Sequence, residues 1–351
     1  MMKRRFALVV AVVFCCTIVL TSCTNPLSSL REFFNKKTAE KEMIVQPEKA
    51  TISMSEIQQE PPENTRPTVM YYKDGENLLV PVMRYIPKGD LGIAKSAISA
   101  LIYSTESFEN LKEAGLMPTL PKDTKVNGAV VKESGLAVVD LSKEFATFSS
   151  KEAEEVGLKS LLYTLTEFPN IKSIQLKIDG KSVDKLTHGT KINANLKRTE
   201  INLQSEANTG DKAAKVMVYY QKKGSGNYTY FVPVTKLVSG YTNSAEAALN
   251  CLLQGPVAGS SLLSPFPEGT KLLGVRVKDG MAFVDFSNEI LNTGGDKSAE
   301  RAIIKAVTLT LREFSEITKV KIFVDGKTIE NTDGIGANEY LDVPIFVNYF
   351  E

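Results

Sequence analysis

The sequence predicts an α+β protein made of two tandem repeats, each a small antiparallel or mixed sheet with two main helices on one face. One phrase occurs twice: GLAVVDLSKEF at 135–145 and GMAFVDFSNEI at 280–290 share six of their eleven residues. The motifs around the two copies follow the same order about 145 residues apart, which is far longer than a solenoid period. In each copy, strand pairs and helical patterns occur in the arrangement typical of α+β folds.

Residues 1–22 have the layout of a secretory signal. Positive residues at 3–5 precede an apolar run at 6–20, which is too short for a comfortable membrane span. Leu20-Thr21-Ser22-Cys23 then resembles the bacterial lipobox, and this resemblance implies that Cys23 becomes the lipidated first residue of the mature protein. The alternatives are an uncleaved N-terminal anchor and simple cleavage with Cys23 incidental.

Residues 23–67 are predicted to form a tether between this lipid and the folded part. The stretch contains several prolines, mixed charge and weak periodicity, and one short helix is compatible with residues 27–42. The folded part is therefore expected to stand off the outer face of the cell membrane.

The repeats are assigned to residues 68–200 and 213–351, joined by a linker at 201–212. The linker lacks apolar periodicity, so the angle between the two domains is expected to be loose. The matched motifs include Val-Pro-Val at 80–82 and 232–234, and Asp-Gly-Lys at 179–181 and 325–327.

Each repeat is predicted to begin with two strands joined by a turn. Pro81 in the second strand indicates an edge strand or a bulge, because proline cannot donate a hydrogen bond to a neighbouring strand. A helix, a proline-containing loop and a tight hairpin follow. The predicted elements are strands 68–73, 77–86, 215–221 and 228–236, helices 92–106 and 244–254, and hairpins 124–141 and 270–286.

The second main helix of each repeat is predicted from apolar residues at three- and four-residue spacing. Ile303, Val307, Leu311 and Phe314 recur in this way in the second repeat, which is typical of one buried stripe. The predicted helices are 150–167 and 297–314, and the strands that follow them are 171–178 and 317–324, each with a short strand after it.

The composition argues against several classes of function. The formal net charge is +1 and no basic run occurs, so no nucleic-acid partner is expected. The chain has one His and four Cys; two Cys leave with the signal and Cys23 takes the lipid, so no disulfide is expected. Cys251 is interpreted as a buried free cysteine. No cofactor, metal site or catalytic residue is predicted.

The repeated phrase places polar residues at the end of its strand: Asp140 and Ser142 in the first copy, Asp285 and Ser287 in the second. An Asp at a strand end could act as a catalytic acid, but no second acid or His accompanies either one. We interpret all four as turn-making residues whose side chains bond the backbone leaving the sheet.

Three other stretches resemble sites without matching them. Residues 89–96 nearly spell a phosphate-binding loop, but Ala94 replaces a required Gly, so a turn into a helix is predicted. His188 is interpreted as a surface-turn residue rather than a metal ligand. The acidic residues that begin the second main helix suit the helix dipole: Glu152, Glu154 and Glu155.

The repeated segments resemble the GerMN domain family. The family pattern is a Pro-Gly-Thr type strand start, a hairpin, and Val-Asp-Phe/Leu-Ser with an acidic-aromatic tail. The second copy follows it from Pro267 to Ile290, whereas Pro121-Lys122-Asp123-Thr124 in the first copy departs from Pro-Gly-Thr before Val139-Asp140-Leu141-Ser142.

The resemblance implies a fold similar to ring-building domains and a lipoprotein of endospore-forming bacteria. It also implies a place between mother cell and forespore, where such a protein helps to assemble the channel complex with other envelope proteins, in a homo- or hetero-oligomeric ring or as its escort. The first hypothesis is therefore an assembly factor in sporulation, with consequences for germination, and not an enzyme.

Two alternatives stay open: an enzyme acting on spore peptidoglycan, and a ligand-binding lipoprotein. An enzyme should show a cleft with converging acids, and a carrier should show a deep apolar pocket. An assembly factor should instead show an exposed edge strand or helix face in both copies, since two similar faces in tandem strengthen binding to a repetitive partner.

Overall fold

The structure, a computed structural model, describes residues 62–88, 92–204, 214–225, 228–238, 244–329 and 334–349. All of them belong to one compact unit of the chain. The predicted signal, Cys23, the predicted helix at 27–42 and most of the tether lie outside the described residues, so these interpretations stay predictions.

The first repeat contains strands β1–β7 and helices α1–α3. The strands are β1 (Thr65–Asp74), β2 (Leu79–Pro87), β3 (Leu116–Met117), β4 (Val126–Val131), β5 (Leu136–Leu141), β6 (Ser173–Ile178) and β7 (Lys181–Ser182). The helices are α1 (Ile93–Leu101), α2 (Thr105–Lys112) and α3 (Lys151–Thr166), and a 3-10 turn at Lys143–Ala146 lies between β5 and α3.

The second repeat contains β8–β13 and helices α4 and α5. The strands are β8 (Ala214–Lys223), β9 (Thr229–Val238), β10 (Leu272–Lys278), β11 (Met281–Phe286), β12 (Lys319–Val324) and β13 (Leu341–Asp342). The helices are α4 (Ala245–Gln254) and α5 (Lys297–Arg312), with a 3-10 turn at Asn288–Leu291.

Each repeat divides its strands between a hairpin sheet and a four-stranded sheet. The hairpin sheets are β2-β1-β3 and β8-β9, and the four-stranded sheets are β4-β5-β6-β7 and β10-β11-β12-β13. The middle strands of the four-stranded sheets run parallel, β5 with β6 and β11 with β12, because a long helix carries the chain back between them. The predicted α+β fold with mixed sheets is confirmed, but the separate hairpin sheet was not predicted.

The long helices begin where the sequence predicts because each has a capping residue. The Ser150 hydroxyl oxygen accepts a hydrogen bond from the Ala153 amide at 3.1 Å, and the Asp296 carboxylate accepts one from the Ser298 amide at 2.8 Å. Both helices pack against the first strand of their hairpin sheet, and α1 and α4 contact both sheets of their repeat. Ile303, Val307 and Leu311 of the predicted stripe are fully buried on α5, whereas Phe314 lies beyond the end of this helix and is only partly buried. The core therefore lies between the helices and the sheets.

The predicted helix over 92–106 is wrong, because two helices occupy this region. The chain leaves α1 after Leu101, whose carbonyl oxygen accepts the Leu120 amide at 3.0 Å. Ser104 then caps α2, and its hydroxyl oxygen accepts the Ser107 amide at 3.0 Å. This serine is a helix start signal inside a pattern that otherwise looks continuous.

The two repeats meet along a seam between β2 and β9. Pro81 confirms the edge-strand prediction, since β2 ends its sheet, and Pro233 occupies the same place in β9. Prolines have no amide hydrogen to donate to a facing strand. Asn202 bridges this gap: its side chain accepts the Leu79 amide at 2.9 Å and donates to the carbonyl oxygens of Leu79 and Pro233 at 2.8 Å.

Asn348 repeats this arrangement with the roles of the repeats exchanged. Its side chain accepts the Phe231 amide and donates to the carbonyl oxygens of Phe231 and Pro81, each at 2.8 Å. Each repeat therefore supplies one asparagine to the proline of the other, and the seam has approximate twofold symmetry.

Residues 201–204 lie in this seam although the sequence places them in the linker. Ile201 is fully buried. Its amide donates to the Thr235 hydroxyl and its carbonyl oxygen accepts the Thr235 amide, both at 3.0 Å. This part of the predicted linker is therefore bonded to the second repeat rather than loose.

Candidate functional site

The acids of the repeated phrase hold a turn of the neighbouring strand. Asp140 accepts the amide of Gly180 at 2.9 Å, and Asp285 accepts the amide of Gly326 at 2.9 Å. Each glycine belongs to the turn after the strand that runs parallel to the repeated one. The turn-making interpretation is confirmed, but the turn belongs to β6 and β12 and not to the strand that carries the acid.

The serines of the phrase tie the same strand to the start of its hairpin. Ser142 accepts the Lys125 amide at 2.9 Å, and Ser287 accepts the Lys271 amide at 3.0 Å. Burial raises the pKa of Asp285, and this effect outweighs the hydrogen bond from the Gly326 amide. The unusual phrase therefore recurs because both hairpins need the same two backbone clamps.

Glu154 was predicted only to suit the helix dipole, and the structure gives its side chain a second role. Its side chain is fully buried and accepts the backbone amides of His188 at 2.6 Å and Thr190 at 3.1 Å. Burial raises the pKa of Glu154, but these amides outweigh burial and hold the pKa below its usual value. The sequence signal that could have found this role is the glutamate at the equivalent position of the second repeat, Glu300.

His188 lies exposed on a surface turn, as predicted. Its Nε2 atom is 2.6 Å from the carbonyl oxygen of Phe148. Cys251 is a buried free cysteine, also as predicted. In the phosphate-loop lookalike, residues 89–91 lie outside the described residues, and Ala94 packs into the core from α1.

Within the described ranges, no three or more His, Cys, Asp or Glu side chains come close enough together to hold a metal ion. Likewise, no helix among the described residues is sufficiently long and apolar to cross a membrane.

Two tyrosine–glutamate pairs were missed by the sequence analysis. The Tyr71 hydroxyl donates to Glu167 at 3.0 Å, and the Tyr219 hydroxyl donates to Glu313 at 2.6 Å. Arg198 forms an ion pair with Glu167 at 2.5 Å. Burial raises the pKa of Tyr71 and of Tyr219 well above the usual tyrosine value. The negative charge of the adjacent glutamate raises each pKa further, by a smaller amount. The repeated Tyr-Tyr and Glu-Phe dipeptides were the available signal.

The four-stranded sheets leave one face uncovered by the helices of their own repeat. Alternate residues of β5, such as Ala137 and Val139, are buried against the helices, so their neighbours point to the opposite face. The first open face consists of Val130, Lys132, Leu136, Val138, Gln175 and Lys177. The second open face consists of Arg276, Lys278, Met281, Phe283 and Lys319, whereas Lys321 on the same side of β12 is buried and donates to Asn338.

The two open faces differ in chemistry. Val130 is 65% exposed on the first open face, whose centre is aliphatic. On the second open face Phe283 is paired with Arg276 of the neighbouring strand, and its ring lies 6.5 Å from the buried Phe323 ring. The first face is thus aliphatic, and the second is aromatic and basic.

Strands β4 and β10 are edge strands at equivalent positions. Both carry a register shift near a glycine, at Gly128 and Gly274. Each strand is also bracketed by lysines, at 125 and 132 and at 271 and 278. Irregular register and lysine are devices that protect an exposed edge from uncontrolled pairing. Both copies therefore present the edge strand expected of an assembly factor. We call β4 and β10 guarded edge strands, because each has a register shift and flanking lysines.

Comparisons with known proteins cover both repeats. The family described as Germane, sporulation and spore germination, matches residues 68–184 and 217–330. The spore germination protein GerM of Bacillus subtilis (strain 168) is 30% identical over 286 residues, which cover 80% of this chain and 77% of GerM. The solved structure of the tandem GerMN domains of the sporulation protein GerM from Bacillus subtilis has a TM-score of 0.70 at 30% identity, and the match covers 82% of this chain and 100% of that chain.

Proposed function

Because the chain belongs to the Germane family of sporulation and spore germination proteins, we propose that it is an envelope lipoprotein acting as an assembly factor in endospore formation. It works in the space between mother cell and forespore, on the channel complex that joins them, and its loss affects germination. The names of its relatives support a role in sporulation and germination. The resemblance to GerMN domains supports the channel.

The observation that carries this proposal is the pair of guarded edge strands and open faces at equivalent positions. The residues that could have supplied chemistry, Asp140 and Asp285 among them, instead bind backbone amides of the fold. Two surfaces in tandem raise the effective concentration at a repetitive partner without any turnover. This arrangement supports binding over catalysis.

The membrane tether is the part of the proposal most directly open to test. Cys23→Ala should release the chain from the membrane fraction while both repeats stay folded, because Cys23 lies far before residue 62, the first residue that the structure describes. Fractionation of cells followed by an alkaline wash measures this. Cys16→Ala is the matched control, since Cys16 lies inside the apolar run and should leave the chain on the membrane. Retention of Cys23→Ala after the wash would contradict the lipid anchor.

The assembly role can be tested by capture from sporulating cells. The tethered chain should retain a defined set of envelope proteins, identified by mass spectrometry. Val130→Asp places a charge on the first open face and should reduce their recovery about fivefold or more, because charge disrupts an apolar contact. The variant should keep its stability, since Val130 is 65% exposed.

Leu291→Asp is the matched control, because Leu291 is also aliphatic and exposed, at 36%, but lies outside both open faces. Equal recovery with the Val130 and Leu291 variants would count against the first open face. Release of soluble fragments from spore peptidoglycan by the purified chain would instead favour an enzyme.

A further inference from the structure

Two residues of opposite charge, Asp74 and Lys222, occupy equivalent positions in the repeats. Asp74 follows the sequence Tyr-Tyr-Lys at 71–73, and Lys222 follows Tyr-Tyr-Gln at 219–221. The neighbouring pairing agrees, because residue 73 pairs with Met117 of β3 and residue 221 forms the corresponding bridge with Leu263. The two positions descend from the same place in the repeat.

These equivalent residues contact each other. The Lys222 ammonium lies 2.6 Å from Oδ2 of Asp74, and the side chains are only 9% and 2% exposed. The other oxygen of Asp74 accepts the amides of Glu76 and Leu78, both at 2.9 Å. Glu76 also lies 3.2 Å from the Lys222 ammonium, but its side chain is 57% exposed. The buried contact is therefore one between Asp74 and Lys222.

The hairpin tips show that this contact lies near the twofold axis of the seam. Glu76, at the tip of the first hairpin, accepts a hydrogen bond from Ser261 of the second repeat at 2.8 Å. Gly224, at the tip of the second hairpin, approaches the first repeat so closely that a Cβ atom would collide with the carbonyl oxygen of Ala114. Each tip thus reaches the other repeat. A residue that contacts its own equivalent across such an interface lies at its axis.

This position decides which repeats can pair. If two first repeats met through the same surface, Asp74 would face a second Asp74 in a buried site. If two second repeats met, Lys222 would face a second Lys222. Like charges brought together without water strongly oppose association, whereas one acid and one base attract.

We propose that Asp74 and Lys222 form a recognition pair that admits the other repeat to the seam and rejects a like repeat, including one from a second copy of the chain. This selection is a property of the seam and is independent of the proposed function. It uses repulsion against the wrong partner as well as attraction to the right one.

Charge reversal within the full chain tests the proposal. Lys222→Asp recreates inside one molecule the contact that two first repeats would make, and Asp74→Lys recreates the contact of two second repeats. Each single variant should speed amide exchange at Met83 and Thr235 by about tenfold or more. These amides report on the seam, since they donate across it to the carbonyl oxygens of Asn348 and Ile201 at 2.8 and 3.0 Å.

The double variant Asp74→Lys/Lys222→Asp restores opposite charges and should return exchange to within about threefold of the original chain. Lys223→Glu is the matched control: it also reverses a charge, on the exposed neighbour of Lys222 in β8, and should change exchange by less than about threefold. The proposal would be overturned if the double variant exchanged faster than either single variant. It would also be overturned if neither single variant changed the exchange rate. If the reversals prevent folding, Asp74→Asn and Lys222→Met replace them, and unchanged exchange in both would overturn it equally.

Discussion

In the long helix, the first repeat has a small residue, Gly157, at the position where the second repeat has a large one, Ile303. In the loop before this helix the large residue belongs to the first repeat and the small one to the second. Phe148 lies two residues before the helix cap of the first repeat, and the corresponding residue of the second is Gly294. A Cβ atom on Gly157 would lie 2.5 Å from the Phe148 ring, whereas Ile303 is fully buried. We infer that the same space beside the long helix is filled by a loop residue, Phe148, in the first repeat and by a helix residue, Ile303, in the second.

The backbone clamps differ far less than this. The aspartate–glycine bonds of the repeated phrase have the same length in both repeats, 2.9 Å. The open faces, by contrast, are aliphatic in the first repeat and aromatic and basic in the second. The two repeats thus share the turns that define the fold, differ in the core by the exchange at Gly157 and Phe148, and differ most in their open faces. The comparison between the repeats can be tested at the core contact of Gly157, at the two asparagines of the seam and at the buried Glu154.

The largest effect is expected in the core of the first repeat. Gly157→Ile should lower the free energy of unfolding by about 3 kcal/mol, because the new side chain overlaps the Phe148 ring. Adding Phe148→Gly should recover a large part of this loss, since the pair then copies the second repeat. Urea unfolding of the single and double variants measures both values.

Ile303→Val is a control of ordinary truncation in the second repeat, with an expected loss of about 1 kcal/mol. The two changes in the first repeat should be strongly non-additive, because the residues are in contact. If Phe148→Gly deepened the loss caused by Gly157→Ile, the exchange of volume between the repeats would be refuted.

The second comparison is between the two asparagines of the seam. Asn348 is 5% exposed, whereas Asn202 is half-buried. Truncation leaves the facing backbone groups without partners, and this cost grows with burial. Asn348→Ala should therefore lower the free energy of unfolding by about 2–3 kcal/mol and Asn202→Ala by about 1 kcal/mol.

Gln204→Ala provides the control for the seam, because its side chain lies in the same region but makes only bonds of 3.2 and 3.3 Å. Its loss should be smaller than that of either asparagine. Equal losses for Asn202→Ala and Asn348→Ala would mean that burial does not distinguish the two bridges.

Much of the fold could be predicted because its signals are local. The buried stripe on α5, the edge position of Pro81 and the duplication itself are all visible in short stretches of sequence. The same is true of Cys251, a small apolar residue in an apolar helix. The error at 92–106 was also local: Ser104 caps the start of α2, and the prediction placed it inside one continuous helix.

The seam could not be predicted because its signals are long-range. Asn202 looks like any polar linker residue until the prolines of both repeats are placed beside it. Glu154 looks like a helix-dipole residue until the loop at 188–190 returns to it. Polar side chains that bind distant backbone have no periodicity. In a duplicated sequence such residues can be recognised because the same residue type occurs at the equivalent position of the other repeat. Asn348 is equivalent to Asn202 in this way, and Glu300 to Glu154.

The smallest effect concerns these equivalent glutamates. The pKa of Glu154 lies below its usual value of 4.5, because the amides of His188 and Thr190 outweigh burial. An acid whose pKa is lower in the folded state stabilises the fold above the unfolded pKa, and this contribution is lost as the pH falls through the folded pKa. Glu154→Gln should therefore lower the free energy of unfolding at neutral pH by about 1–2 kcal/mol.

The difference between Glu154→Gln and the original chain should shrink as the pH falls below about 4.5, because a protonated Glu154 has the same charge as Gln. Urea unfolding from neutral to acidic pH measures this convergence. Glu300→Gln is the matched control: the Glu300 side chain is 18% exposed and lies 3.1 Å from the Lys297 ammonium. Solvent can replace part of that contact, so its loss should be smaller. If the difference in free energy of unfolding between Glu154→Gln and the original chain stayed constant with pH, the charge of Glu154 would not be what stabilises its bonds to the amides.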